Sequence, residues 1–144
     1  MPDEPQRGLL DTNILILRHG IDPEELPDEM AISAITLAEL SAGVHLVSGN
    51  DARAADERAR RAAVLQRVEN EFDPLPFDAD AARIFGRISA AVQARGRTPR
   101  RRIADLMIAS VSTAAMLPLY TTNPDDFDGL DGIVRVIPVN RPSD

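Results

Sequence analysis

Short apolar runs alternate along the chain with longer segments in which apolar residues recur at helical spacing. Five runs are short enough to form single strands: RGLLD, MAISAIT, PLPF, LPLYTT and GIVRVIPV. Strands that alternate with helices are typical of an α/β domain with a mainly parallel sheet. The pattern therefore predicts an α/β fold built on five strands.

The segment DADAARIFGRISAAVQARG is the clearest predicted helix. Its apolar residues share one face, Asp78 stands where an N-cap is expected, and Gly96 stands where the helix would stop. The other predicted helices are ILILRHG, which Asn13 could cap, LAELSAGVHL, which Thr36 could cap, residues 51–72, and IADLMIASVSTAAM. A helix thus follows each of the first three strands.

Length and composition indicate one domain. The chain has 144 residues, of which 44% are hydrophobic, and no linker divides it. The apolar stretch near the C-terminus is interrupted by Asp105 and Pro118, so it is not clean enough to span a bilayer. We expect a single domain over residues 1–144, in a soluble cytoplasmic protein without membrane contact.

The residue types narrow the possible chemistry. Cysteine is absent, which excludes disulfides, thiol nucleophiles and thiolate metal sites. Every one of the 16 basic residues is arginine, so functions that depend on lysine, such as P-loop phosphate binding, are excluded. The net charge of -7 argues against a general nucleic-acid coat, and 3% aromatic residues disfavour a base-stacking surface. Carboxylates, hydroxyls and arginines remain.

Several acidic residues lie where predicted strands end or helices begin. Asp11 interrupts the apolar run GLLDTNILIL, and burying a carboxylate is costly unless something compensates its charge. In an open parallel sheet, ligands bind beyond the carboxyl ends of the strands, so Asp11 is a candidate site residue. The other candidates at this edge are Glu39, Asp105, Asn123, Asp125 and Asp126.

Each candidate also has a purely structural interpretation. Thr36 and Glu39 match the capping box S/T-x-x-E that begins many helices. Asp105 could complement the dipole of its helix. Asp125 and Asp126 follow an Asn-Pro pair, which commonly opens a turn. Taken one at a time, these residues do not require a catalytic role.

Taken together, the acids are harder to explain structurally. Clustered carboxylates raise one another's pKa unless a cation lies among them. Mg²⁺ or Mn²⁺ is bound by one or two carboxylates directly and by waters that further acids hold. Such an ion would also compensate the charge of Asp11. The acids therefore predict a Mg²⁺ site in which Mn²⁺ can substitute.

Four motifs, in this order, carry a resemblance to a known family: LLDTNILI, SAITLAELSAGV, RRRIADLMIAS and TTNPDDF. They resemble the PIN-domain ribonucleases and, within these, the VapC-type toxins of bacterial toxin-antitoxin pairs. The resemblance extends from about Gly8 to Val139. It implies a PIN-like three-layer α/β/α fold with a mostly parallel five-stranded sheet, usually in a homodimer. It also implies a VapB-type antitoxin whose tail enters the acidic groove and keeps the enzyme inactive.

The resemblance further implies roles for single residues. The catalytic acids would be Asp11, Glu39, Asp105 and Asp126. The direct metal ligands among them would be Asp11 and Asp105. Supporting polar groups would come from Thr12, Asn13, Asn123 and Asp125.

The implied reaction is hydrolysis of an RNA phosphodiester bond by a metal-activated water, which leaves a 5′-phosphate and a 3′-hydroxyl. Glu39 or Asp126 would orient this water or take its proton. Basic residues just before Asp105 could hold the flanking phosphates. These are Arg95, Arg97, Arg100, Arg101 and Arg102.

Three other functions are weighed against the ribonuclease. A catalytically silent module would use the fold only to bind RNA or a protein, and the loss of one acid would favour it, but none is evidently lost. A phosphoryl-transfer receiver also gathers aspartates at strand ends, but the absence of lysine counts against it. A related DNA nuclease stays open, because metal chemistry does not by itself distinguish the two sugars.

Overall fold

The computed structural model describes residues 6–98 and 102–143. The strands are β1 (Arg7–Leu10), β2 (Glu29–Ala31), β3 (Leu119–Thr121) and β4 (Val136–Pro138). The helices are α1 (Thr12–Leu17), α2 (Ala34–His45), α3 (Ala52–Glu71), α4 (Ala79–Ala94) and α5 (Ile103–Ala114). Strands and helices alternate, so the predicted α/β class is confirmed. Within the described ranges, no helix combines the length and the apolar character needed to cross a bilayer.

The strands form one parallel sheet in the order β2-β1-β3-β4. β1 is internal, where Leu9 pairs with Ala31 of β2 on one side and with Leu119 of β3 on the other. The chain winds from β1 to β2, and it then returns through α2 to α5 to place β3 on the opposite side of β1. The direction of winding therefore reverses between β1 and β3, where sheets of this kind bind ligands.

Helices cover both faces of this sheet. Successive strand residues point to opposite faces, so Leu9 and Leu10 lie in two separate cores. Leu9 packs with residues of α4 and α5, such as Ile88 and Leu106. Leu10 packs with residues of α1 to α3, such as Ile14. This arrangement is the three-layer α/β/α fold that the resemblance implies.

The helix α4 confirms the clearest local prediction. The side chain of Asp78 accepts a hydrogen bond from the backbone N of Ala81 at 2.9 Å, as an N-cap does. Ala81, Ile88 and Val92 of the predicted apolar face are buried. Gly96 follows the helix with a φ of +75°, a conformation that favours glycine.

One predicted strand does not form. The sequence predicts a strand over PLPF, but Leu75 makes only an isolated bridge to Ser33. Pro74 and Pro76 flank this bridge, and neither has a backbone N–H with which to extend a ladder. The described residues therefore contain four strands, and the predicted number of five is wrong.

The helix α2 begins three residues earlier than the sequence predicts. Its N-cap is Ser33, whose hydroxyl accepts a hydrogen bond from the backbone N of Thr36 at 3.1 Å. Thr36 lies inside the helix, and Glu39 lies in the second turn. The interpretation of Thr36 and Glu39 as a capping box is therefore wrong.

Candidate active site

Asp11 directly follows β1 and caps α1, the role that the sequence assigns to Asn13. It is 5% exposed. Its Oδ1 accepts a hydrogen bond from the backbone N of Thr12 at 2.9 Å, and its Oδ2 accepts one from the Thr121 hydroxyl at 2.8 Å. A carboxylate oxygen has two lone pairs, so both oxygens can still bind a cation. Asp11 is therefore buried and held in one orientation.

The register of the sheet brings Thr121 to Asp11. Leu10 pairs with Tyr120, so Asp11 and Thr121 occupy the next position on the neighbouring strands. Thr121 is completely buried, and its hydroxyl oxygen also accepts a hydrogen bond from the backbone N of Asn123 at 3.0 Å. One hydroxyl thus connects the carboxyl ends of β1 and β3.

Burial raises the pKa of Asp11 above its ordinary value. The hydrogen bonds from Thr121 and Thr12 act in the opposite direction, while the charges of Glu39 and Asp126 raise this pKa further. The local fold therefore opposes the ionised form of Asp11, although the residue is well placed to bind a cation.

Asp105 shows the same effect more strongly. It lies in the first turn of α5 and is partly buried. Burial raises its pKa to about 6, and the charges of Asp11, Asp126 and Glu39 contribute to this rise. The other three predicted catalytic acids therefore act electrostatically on this one carboxyl group.

Glu39 is held by two threonines. Its Oε1 accepts a hydrogen bond from the Thr12 hydroxyl at 2.6 Å, and the Thr12 and Thr36 hydroxyl oxygens lie 2.9 Å apart. A hydroxyl has one proton, so while Glu39 is ionised Thr12 donates to it and Thr36 donates to Thr12. This chain of bonds orients an otherwise exposed side chain from the buried hydroxyl of Thr36.

A cavity of about 570 Å³ joins these groups. It lies between α1, α2, α3 and the start of α5, and three predicted catalytic acids line it: Asp11, Glu39 and Asp105. The predicted supporting residues Thr12 and Asn13 also line it. On the far side, α3 contributes Glu57, Arg60 and Arg61.

The segment after β3 brings Asp126 near this cavity. Asp126 does not line the cavity, but its charge raises the pKa values of Asp11 and Asp105. Asp125 is exposed and contributes to neither shift. The backbone O of Asn123 accepts from the backbone N of Asp126 at 3.1 Å, and its side-chain Oδ1 accepts from Arg141. Of the two adjacent aspartates, Asp126 is the one whose charge is among the causes that raise the pKa values of Asp11 and Asp105.

Three of the arginines predicted to bind phosphate are described by the structure, and none of the three lines the cavity: Arg95, Arg97 and Arg102. Nη1 of Arg102 donates to the backbone O of Asp126 at 2.8 Å and lies 3.7 Å from its Oδ1. Arg95 lies over Gly129, so closely that a Cβ atom on residue 129 would collide with its side chain. Arg97 is exposed. Arg100 and Arg101 lie outside the described residues.

The cavity lining suits a hard divalent cation. Four acidic and two basic side chains line it, which leaves two excess negative charges when all are ionised. In residues 6–98 and 102–143, no group of three or more acidic or histidine side chains could hold an ion by itself. Mg²⁺ keeps several waters and uses one or two carboxylates directly, so two aspartates that line one cavity, such as Asp11 and Asp105, are the kind of ligand that it takes.

Sequence reasoning overlooked two sets of residues. Thr121 and Thr36 are buried hydroxyls that hold Asp11 and the Thr12–Glu39 pair. The sequence did contain a feature that could have identified Thr121, since it is a polar residue at the end of an apolar strand. Arg60 and Arg61 fall in the predicted helix over residues 51–72, where no local pattern connects them with the acids. Only the packing of α3 against α2 reveals that they line the cavity.

Comparisons with known proteins agree with this geometry. The family model described as PIN domain matches residues 8–133. Ribonuclease VapC5 of Mycobacterium tuberculosis is 39% identical over 139 residues, which cover 94% of this chain and 96% of that protein. VapC ribonuclease Y4jK of Sinorhizobium fredii is 27% identical over 139 residues, covering 85% and 93%. The crystal structure of VapBC-5 from Mycobacterium tuberculosis, of the VapBC family of toxin-antitoxin systems, matches with a TM-score of 0.77 and 38% identity, over 94% of this chain and 99% of that one.

Proposed function

The chain belongs to the PIN-domain family, and on this premise we propose that it is a metal-dependent endoribonuclease, the VapC-type toxin of a type II toxin-antitoxin pair. The observation that carries the proposal is the acidic cavity at the reversal point of the sheet, where Asp11, Glu39 and Asp105 converge. The 39% identity with a ribonuclease over most of both chains supports RNA as the substrate.

PIN-domain VapC ribonucleases are generally metal-dependent, and the ion proposed here is Mg²⁺, with Mn²⁺ able to replace it. Asp11 and Asp105 would hold it directly. When bound, the ion lowers the pKa of a water and neutralises charge that develops on the phosphate. Burial and, after it, repulsion between the acids raise the pKa values of Asp11 and Asp105, and a bound cation would offset the repulsion.

Glu39 is the proposed base. Thr12 holds Oε1 of Glu39, so Oε2 is the oxygen that can accept a proton from the attacking water. Asp126 is the alternative for this role, but its backbone O and one carboxylate oxygen face Arg102. The main role of Arg102 is therefore to bind Asp126. This contact holds the segment after β3 near the cavity.

The proposed partner is a VapB-type antitoxin, because the matching structure of 38% identity is a toxin-antitoxin complex. An antitoxin that covers the cavity would block access of RNA to Asp11 and Asp105. The proposed assembly is a homodimer of single PIN domains that each span residues 1–144.

The decisive experiment uses the purified chain, free of antitoxin, with labelled RNA and DNA of matched sequence in Mg²⁺, Mn²⁺ or chelator. We expect RNA fragments with 5′-phosphate and 3′-hydroxyl ends in either metal, and none in chelator. The matched control is Asp11→Asn, which keeps the side-chain shape and removes the charge.

Other outcomes discriminate between the functions. Cleavage that persists in Asp11→Asn would reveal a contaminating nuclease and contradict the proposal. Preferential cleavage of DNA would replace the ribonuclease with a DNA nuclease. Metal-dependent RNA binding without cleavage would favour the catalytically silent module.

A further inference from the structure

One wall of the acidic cavity is basic. Arg60 and Arg61 of α3 line the same cavity as Asp11, Glu39 and Asp105. Their side chains are 67% and 45% exposed, so both guanidinium groups are within reach of a ligand that enters from solvent. In the chain, these arginines lie in α3, which follows β2 and α2. No local sequence pattern therefore connects them with the acids.

Both arginines are positioned by neighbouring groups. Nη2 of Arg60 lies 2.5 Å from Oε2 of Glu57, and Nε of Arg61 donates to Oε1 of Glu57 at 2.8 Å. Nη1 of Arg61 also donates to the backbone O of Gly43 on α2 at 2.8 Å. Glu57 thus holds the two guanidinium groups side by side, and the three residues together carry one positive charge.

Arg61 keeps hydrogen-bonding capacity. Its contacts use Nε and Nη1, and within the part of the chain that the structure describes Nη2 makes no hydrogen bond. Nη2 carries two N–H donors. The ion pairs with Glu57 are largely exposed and so contribute little to stability, which lets the guanidinium groups turn toward a ligand at small cost.

Another ion pair shows that this placement is not general. Arg83 and Asp80 of α4 form the same kind of surface pair, with side chains 74% and 76% exposed. Neither residue lines the acidic cavity. An arginine on a solvated helix face therefore differs from Arg60 and Arg61 in its surroundings, although its local pairing is similar.

We infer that Arg60 and Arg61 bind the RNA phosphates beside the one that is cleaved. This inference rests on the proposed ribonuclease function. RNA is a polyanion and the cavity carries excess negative charge, so the substrate needs cationic groups at the entrance as well as an ion inside. Guanidinium groups match phosphate oxygens in geometry and charge. The arginines act on binding, while the acids act on the bond that breaks.

The test measures binding of a single-stranded RNA in Ca²⁺, which replaces Mg²⁺ to prevent cleavage, at several salt concentrations. The variant Arg60→Gln/Arg61→Gln keeps polar side chains of similar length, and Arg83→Gln on α4 is the matched control. Each neutralised phosphate contributes a slope of about -0.7 to log K against log salt. We expect the double variant to flatten the slope by about 1.4, and Arg83→Gln to leave it unchanged.

Steady-state cleavage in Mg²⁺ gives a second measurement. We expect KM to rise about tenfold in the double variant, with a smaller change in kcat, and Arg60→Lys/Arg61→Lys to restore the salt slope. An unchanged slope and KM would overturn the inference. So would a loss confined to antitoxin affinity, which would assign the arginines to the protein partner.

Failure of the proposed function gives a different result. A parent protein that binds RNA but does not cleave it contradicts the ribonuclease proposal, while the salt slope in Ca²⁺ still tests Arg60 and Arg61. Thermal melting of each variant checks the fold, and we expect shifts of no more than a few degrees because both side chains are exposed.

Discussion

Two walls of the acidic cavity are built in opposite ways. The sheet-edge wall, Asp11 and Asp105, lies at the end of β1 and the start of α5, where burial raises both pKa values. The helical wall consists of Glu39 on α2 together with Glu57, Arg60 and Arg61 on α3. Its acidic and basic groups pair with one another or with hydroxyls near the surface.

The difference separates two demands on the site. The sheet-edge wall places like charges together in a partly dry environment, which opposes folding until a cation arrives. The helical wall is exposed, so its charges alter stability little. The geometry of the proposed metal ligands therefore depends on the end of β1 and the start of α5, while contacts with the substrate can vary on α2 and α3 without weakening the core.

The largest expected effect comes from Asp11→Asn on the sheet-edge wall. The amide keeps an oxygen that can accept the hydrogen bond from Thr12 but loses the charge, so we expect cleavage to fall about a thousandfold or more. Single-turnover rates in Mg²⁺ measure the loss. Thermal melts with and without Mn²⁺ measure ion binding, and a variant that keeps the full Mn²⁺-induced stabilisation would show that Asp11 is not a ligand.

Glu39→Gln tests the helical wall, and its expected effect on cleavage is smaller. We expect a loss of about a hundredfold, which is the scale of a positioned base. The melting temperature should stay within a few degrees of the parent, because Glu39 is exposed. Stabilisation by Mn²⁺ should persist. A rate equal to that of the parent would remove Glu39 from the mechanism.

Asp105→Asn should stabilise the metal-free protein. Its pKa rises from the ordinary 3.8 to about 6, so the folded chain holds the proton more tightly than the unfolded chain does. Stability of the parent therefore falls as pH rises from about 4 to about 6, and the deficit is complete above that range. Asparagine cannot ionise and removes it.

The gain in the free energy of unfolding that we expect for Asp105→Asn has an upper limit of about 3 kcal/mol. Solvent screening of the partly buried carboxyl group reduces this gain to about 1–2 kcal/mol. Urea denaturation at pH 4 and pH 7, in chelator, measures it. We expect the gain at pH 7 to vanish near pH 4. An equal gain at both values would contradict the electrostatic explanation.

Thr12→Val should have a modest effect. Valine matches the shape of threonine but removes the hydroxyl that holds Glu39. We expect a loss in kcat of several-fold, smaller than that of Glu39→Gln, because the base remains but is less well oriented. A double variant should lose no more than Glu39→Gln alone, and losses that simply multiply would contradict the coupling of the two residues.

The smallest expected effect comes from Arg97→Ala. Arg97 is exposed and does not line the cavity, so we expect less than about a twofold change in RNA affinity. The assay is the same titration in Ca²⁺. If Arg97→Ala changes RNA affinity as much as the Arg60→Gln/Arg61→Gln variant does, the segment before α5 binds phosphate after all.

Local sequence was sufficient where one residue decides a feature. Asp78 begins α4, Gly96 follows it, and the apolar face between them is buried as its spacing predicts. The acids at strand ends were also identifiable, because a carboxylate in an apolar run requires a special environment. The α/β class followed from the alternation of short apolar runs with segments of helical spacing. The positions of Asp11 and Asp105 followed because each carboxylate stands in an apolar segment.

Local sequence was insufficient where two segments compete or meet. Ser33 and Thr36 are both good caps, and Leu75 favours the earlier start because its backbone O accepts from Ala34 N at 2.8 Å. Likewise, PLPF has the apolar character of a strand but forms only one bridge, since prolines limit its pairing.

The sequence by itself determined which acidic groups belong to the candidate site. Local patterns were sufficient for this, because the burial of apolar residues and the cost of burying charge are both visible in them. Only the tertiary structure decided which groups share the cavity. The β1–β3 register brought Thr121 to Asp11, and the packing of α3 on α2 turned Arg60 and Arg61 toward the acids. Contacts between residues far apart in the chain depend on register and helix packing, which hydrophobic spacing does not encode.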